Sequence, residues 1–154
     1  MTWRRTAQAA ALAALLAIFL ITALGYGRLP QTVATHFDLA GNPNAWGSKG
    51  SVLLLPIVTL VLWGLLGAVS KLPVRYWNFP VRVMERNLPR QIELTLTLIS
   101  TLKLEIMLTM LYLQWAVIAG ARGNFTLSPL FLPLDLFAIY GTIGIYFIYA
   151  LRAR

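Results

Sequence analysis

Four apolar runs fill most of this chain, and each is long enough to cross roughly 30 Å of hydrocarbon at about 1.5 Å per residue. They lie at about 7–26, 51–70, 91–119 and 130–151. Inside a bilayer each backbone amide must find its partner within its own segment, which leaves helices as the fold for such runs. Only 12% of the 154 residues are charged, against roughly 25% in a soluble domain. The expected fold is therefore all-α. It is an integral membrane bundle of four transmembrane helices, one domain over residues 1–154, with a structured extracytoplasmic loop between helices 1 and 2. The third run exceeds a span, so its first turns should project into water or tilt. Pro89, Pro129 and Pro133 suit helix first turns, where the missing N–H costs little.

The net charge of +8 would suggest nucleic acid in a soluble protein, but the charges cluster at the ends of the apolar runs. That placement is the signature of membrane topology. A cytoplasmic N-terminus gathers Arg4, Arg5, Lys71, Arg75, Arg82, Arg86, Arg90, Arg152 and Arg154 on one side, leaving only Arg28, Lys49 and Arg122 outside. The positive-inside rule thus predicts both termini in the cytoplasm. Arg4 and Arg5 ahead of an apolar run, with Ala23-Leu24-Gly25 after it, also fit a cleavable signal peptide. Retention as a helix is the expectation, because three more spans follow. The absence of cysteine removes disulfides and thiolate chemistry.

The densest polar stretch is Leu29 to Gly50, LPQTVATHFDLAGNPNAWGSKG. It holds the single histidine, His36, with Asp38 two residues on, then Asn42, Asn44, Trp46 and Lys49. Gly41-Asn42-Pro43-Asn44 is a turn signal. On an extended segment His36 and Asp38 would share one side, placed to share a proton or bind a cation. Two ligands make a poor metal site, so no metal is assigned. The favoured reading is a lid of mutually hydrogen-bonded side chains, with Phe37 and Trp46 as interfacial anchors. Ligand or peptide binding by His36, Asp38, Asn42, Asn44, Trp46 and Lys49 is the functional alternative.

Leu29, Pro30, His36, Phe37, Gly41, Pro43, Trp46, Ser48 and Lys49 fall where a known pattern expects them. The stretch resembles the leader motif of the membrane family called domain of unknown function 1648, which includes the membrane part of Sdp-type toxin-immunity proteins. Trp77-Asn78-Phe79-Pro80 is similar to that family's short N-x-P element after the second span. Asn44 stands where an aspartate is common, removing a third oxygen ligand, and Ala34 where a proline is common. The resemblance implies a polytopic membrane protein, and its functional precedent protects a host from an extracytoplasmic toxin and sequesters a repressor.

Between the second and third runs, Lys71, Arg75, Arg82, Arg86 and Arg90 alternate with Tyr76, Trp77 and Phe79. This composition suits an anionic leaflet, each cation contributing about 1 kcal/mol. Single-stranded nucleic acid would accept it too, but a loop tied to the bilayer at both ends favours lipid.

The third run carries Lys103 and Glu105, each costing about 2.5–3.5 kcal/mol at a span's centre unless partnered or wet. Two residues apart, they point about 200° from one another. Lys103 is placed to snorkel back to the cytoplasmic interface. Thr101, Glu105, Thr109 and Tyr112 form one stripe that should face other helices. Asp135, entering the fourth span, is expected to hydrogen-bond Gln114. The pairs Gly64/Gly67 and Gly141/Gly144 are expected to mark close packing. Polar glue between helices is the favoured role of Lys103, Glu105 and Asp135; a proton or ligand path from the outer loop to Glu105 is the other. Asn124-Phe125-Thr126 formally matches a glycosylation acceptor and is set aside.

Three functions follow. The first is a ligand-sensing or immunity-like membrane module using the outer loop, with a peptide, lipid or ion as ligand. The second is an accessory subunit packed against a larger membrane complex. The third is a small transporter or membrane enzyme using Glu105 and His36. The first is preferred, with the lipid bilayer as partner, no nucleic acid, no cofactor and no enzymatic activity.

Overall fold

A computed structural model describes residues 2–123 and 127–154; Asn124-Phe125-Thr126 lies outside them. Four helices carry the architecture: α1 (Thr2–Tyr26), α2 (Leu54–Val69), α3 (Leu88–Gly120) and α4 (Phe131–Arg152). With the 3-10 turn Lys49–Leu53 leading into α2, each is long and apolar enough to cross a membrane. The fold is an all-α bundle with multi-pass architecture. Four antiparallel crossings put both termini at one end, and the α1–α2 connection at the other.

α1 and α3 begin before their apolar runs, because hydropathy marks the membrane segment whereas hydrogen bonding marks the helix; α2 is shorter than its run, whose first residues form the 3-10 turn. Thr6 donates to the Thr2 carbonyl in the first turns of α1. At the start of α3, the Asn87 side chain accepts from Met84 N–H and donates to the Arg82 carbonyl, folding the turn that launches the helix. Pro89 follows in the first turn.

α3 is the hub. It packs most extensively on α1, then on α4 and α2. The α1–α3 contact is close because α1 offers small residues along one face. Ala7, Ala11, Ala14, Ile18, Thr22 and Gly25 recur at three- and four-residue steps and are all buried. Small side chains let helix backbones approach in a membrane. At Gly25 an added Cβ would stand 3.0 Å from the Ile118 side chain. The expected close packing at Gly64, Gly141 and Gly144 is not made: nothing lies within 4 Å of a Cβ built at any of them. Their helix faces point away from the bundle, and α1 supplies the small surface instead.

The outer loop is a β-hairpin, which hydropathy alone did not distinguish from irregular chain. β1 (Thr32–Phe37) pairs antiparallel with β2 (Pro43–Ser48). Register shifts on both sides of His36 leave Thr35 and Asn44 without strand partners. Buried Val33 packs with Leu29, Val52 and Ile118, fastening the hairpin to the ends of α1 and α3. Gly41, at φ +83°, lies against the Leu127 carbonyl so closely that a Cβ would collide with it, and its own carbonyl accepts from Leu127 N–H at 3.2 Å. The hairpin turn is thereby tied to the segment that leads into α4.

Candidate functional site

The two strand irregularities turn Asn44 toward His36, as bulges re-aim side chains. His36 Nδ1 and Asn44 Oδ1 lie 2.5 Å apart. With the amide oxygen accepting, Nδ1 carries the proton and Nε2 is left to act as an acceptor. Asp38 does not join His36. Its Oδ1 accepts from Asn42 N–H at 2.8 Å, and its own N–H donates to the Asn42 carbonyl, an arrangement that shapes the turn. Lys49 packs its ammonium over the Tyr26 ring, 4.7 Å from the centroid. Trp46 is 62% exposed on the hairpin's outer surface. The six loop residues thus form local pairs rather than one shared cluster.

Beneath the hairpin lies a cleft of about 640 Å³. It exists because α3 runs on roughly three turns past Thr109, whereas α4 has made only one turn before Asp135. The hairpin roofs the gap. His36, Asp38 and Asn44 sit at the rim, Leu113 and Phe131 form walls, and Thr109 and Asp135 lie deep. Tyr112 and Phe131 rings stack at 4.4 Å between centroids, bracing the α3–α4 wall.

At the floor the Thr109 hydroxyl lies 2.5 Å from Asp135 Oδ1 and 3.0 Å from the Glu105 carbonyl. The expected Asp135–Gln114 bond is not made. Gln114 is five positions from Thr109, which is about 140° around α3, so it faces α1. There it donates to the Thr22 hydroxyl at 2.7 Å and the Val52 carbonyl at 3.3 Å. One turn before Thr109, Glu105 Oε1 accepts from Thr142 of α4 at 2.5 Å, while Glu105 Oε2 is buried with no hydrogen-bond partner among the described residues. The stripe Thr101, Glu105, Thr109 and Tyr112 therefore meets neighbouring helices: α4 for the last three, and the Trp3 indole of α1 for Thr101.

A second cleft, of about 380 Å³, opens between α3 and α4 in the half nearer the termini, lined by Thr97, Thr101, Tyr146 and the same Thr142. The Glu105–Thr142 pair thus lies between two clefts. Thr142, Gln91 and Thr22 were not marked by sequence, since isolated polar residues in apolar runs carry no motif. Gln91 donates to the Ala150 and Ala153 carbonyls, capping the end of α4. Lys103 is buried over the Trp63 ring, 4.1 Å from the centroid, on a different side of α3 from Glu105. Of the loop cations, Lys71, Arg75, Arg82 and Arg86 are exposed, and Arg90 pairs with Glu93 at 3.2 Å.

Comparison with known proteins bears on the first part of the chain. An uncharacterized protein of Archaeoglobus fulgidus is 36% identical over 61 residues, covering 40% of this chain and 33% of that relative. The match therefore spans about a third of the relative's length. No solved structure matches. Residues 13–60, from within α1 through the hairpin into α2, match the family described as Domain of unknown function (DUF1648). The matched segment, which covers less than half of the chain, contains His36, Asp38, Asn44 and Lys49, and through it the chain is similar to that family.

Proposed function

We propose that this is a ligand-binding membrane module whose cleft beneath the outer hairpin receives an amphiphile with a cationic group. One observation carries the reading. In a chain of net charge +8, the cleft is lined by two carboxylates, Asp38 and Asp135, and among the described residues by no lysine or arginine. Its walls are apolar, so a greasy body fits between α3 and α4 while its cation meets the acids. The cleft opens beside the membrane, where such ligands concentrate.

By the positive-inside rule the hairpin faces the extracytoplasmic side and the termini the cytoplasm. A module that captures a cationic amphiphile there fits a sensing or immunity-like role, as the resemblance to Sdp-type proteins implies. The proposal contains no catalytic step, cofactor or nucleic acid. The test is binding of dodecyltrimethylammonium against dodecyl sulfate and a neutral maltoside of equal chain length, read by Trp fluorescence of the purified protein. Preference for the cation, lost in Asp135→Asn, supports the reading; equal response to all three sinks it.

A second reading is favoured by the position of Glu105 and Thr142 between the outer and inner clefts. It makes the α3–α4 seam a route for protons or small cations. Proteoliposomes loaded with a pH-sensitive dye would then show a flux that Glu105→Gln abolishes; flux equal to that of empty liposomes would dismiss it.

A further inference from the structure

At the end of the bundle that carries both termini, α1, α2 and α3 enclose a crevice of about 530 Å³. Arg4, Arg5 and Gln8 enter it from α1, Ser70 from the end of α2 and Ser100 from α3, and no carboxylate lines it among the described residues. The Gln8 amide donates to Ser100 Oγ at 3.3 Å, which fixes the two side chains toward each other. Arg4 Nε is buried and has no hydrogen-bond partner among the described residues.

Lys103 stands one turn below Ser100 on the same side of α3. It is 3% exposed, and a Cβ placed at Gly67 would be 3.5 Å from its Nζ. The Trp63 ring covers its ammonium, but among the described residues Lys103 has no carboxylate partner; Arg90–Glu93 is the ion pair recorded there.

Cations gathered at the edge of a low-dielectric layer repel one another more strongly than in water. A ring face offsets part of this for one ammonium, not for three positive groups. An anion between them reverses the sign of the balance. Guanidinium forks and an amide are donors that match phosphate oxygens, whereas the Ser70 and Ser100 hydroxyls already donate to the Gly67 and Leu96 carbonyls. We propose that the crevice binds a phosphate group, held by Arg4, Arg5 and Gln8, with Lys103 as the charge beneath it. A phospholipid headgroup of the adjoining leaflet or soluble phosphate supplies the same chemistry. This site is separate from the outer cleft, and neither depends on the other.

The test uses the full chain in nanodiscs of phosphatidylcholine alone, of phosphatidylcholine with phosphatidylglycerol, and of phosphatidylcholine with added inorganic phosphate. Retained lipid is read by native mass spectrometry and stability by thermal unfolding. A lipid source predicts retention of phosphatidylglycerol over phosphatidylcholine, falling about fivefold for each cation removed in Arg4→Gln/Arg5→Gln and in Lys103→Met. The arginine pair alone decides if Lys103→Met does not fold. Stabilisation by inorganic phosphate without lipid preference, lost in the same variants, assigns the site to the soluble anion. Arg75→Gln/Arg82→Gln on the exposed loop should leave either effect in place. Preference lost only in that loop variant, or no response to lipid or phosphate, overturns the proposal.

Discussion

Thr142 of α4 donates its hydroxyl proton to Glu105 of α3 at 2.5 Å, in the seam that holds α4 to the bundle. Glutamine keeps an acceptor at that place and leucine does not. Glu105→Gln should therefore unfold in mixed-micelle titrations close to the parent. Glu105→Leu should weaken the seam by about 0.6–1.7 kcal/mol, the range for hydrogen bonds between membrane helices. Equal stability of the leucine variant would show that the bond contributes nothing to packing.

The buried Thr22–Gln114 contact predicts a non-additive pair. Thr22→Val leaves the Gln114 amide with the Val52 carbonyl alone and one N–H facing an apolar wall, and should cost about 1–3 kcal/mol. Thr22→Val/Gln114→Leu removes both partners and should recover most of the loss, since apolar replacement of a whole pair is nearly neutral. A double variant as unstable as the sum of its singles would refute this coupling.

Gly41 is constrained twice, by a positive φ and by the Leu127 carbonyl. Gly41→Ala should cost more than the 1–2 kcal/mol or so that a left-handed alanine carries, and should loosen the hairpin from the α3–α4 connection. Hydrogen exchange at the Leu127 amide is the readout, with faster exchange expected. Gly123 also has a positive φ (79°), but among the described residues nothing lies within 4 Å of its Cβ position, so Gly123→Ala should be milder.

Topology is testable at exposed positions. Single cysteines at Leu39 and Ser128 should react with an impermeant maleimide added outside intact cells, and one at Glu85 should react only after lysis. Labelling of Glu85 from outside would move the hairpin, and the outer-cleft ligand with it, to the cytoplasm.

The spans were legible because a helix in hydrocarbon needs only length and apolarity, and both are written along the chain. The hairpin was not. Its strand Thr32–Phe37 has burial that does not alternate, with Val33 and Ala34 both inside, so period-two reasoning had nothing to find. Gly41-Asn42-Pro43 marked the turn but not the pairing around it. Within the membrane, the position of Glu105 on α3 indicated that it needed a partner. Which helix supplied it depended on rotation and depth, and neither is encoded locally. Asp135 shows the limit: similar depth suggested Gln114, but the angle around α3 gave it Thr109.

The small face of α1 finds its main partner in α3, not in the helix made next. Ala7, Ala11, Ala14 and Ile18 are synthesised well before α3 exists, and α2 covers little of them. Until α3 has been made, that face of α1 lacks the partner it has in the folded bundle. The order in which the helices are born is thus not the order in which they dock, and the hairpin is the tether that keeps the first two together in the interval.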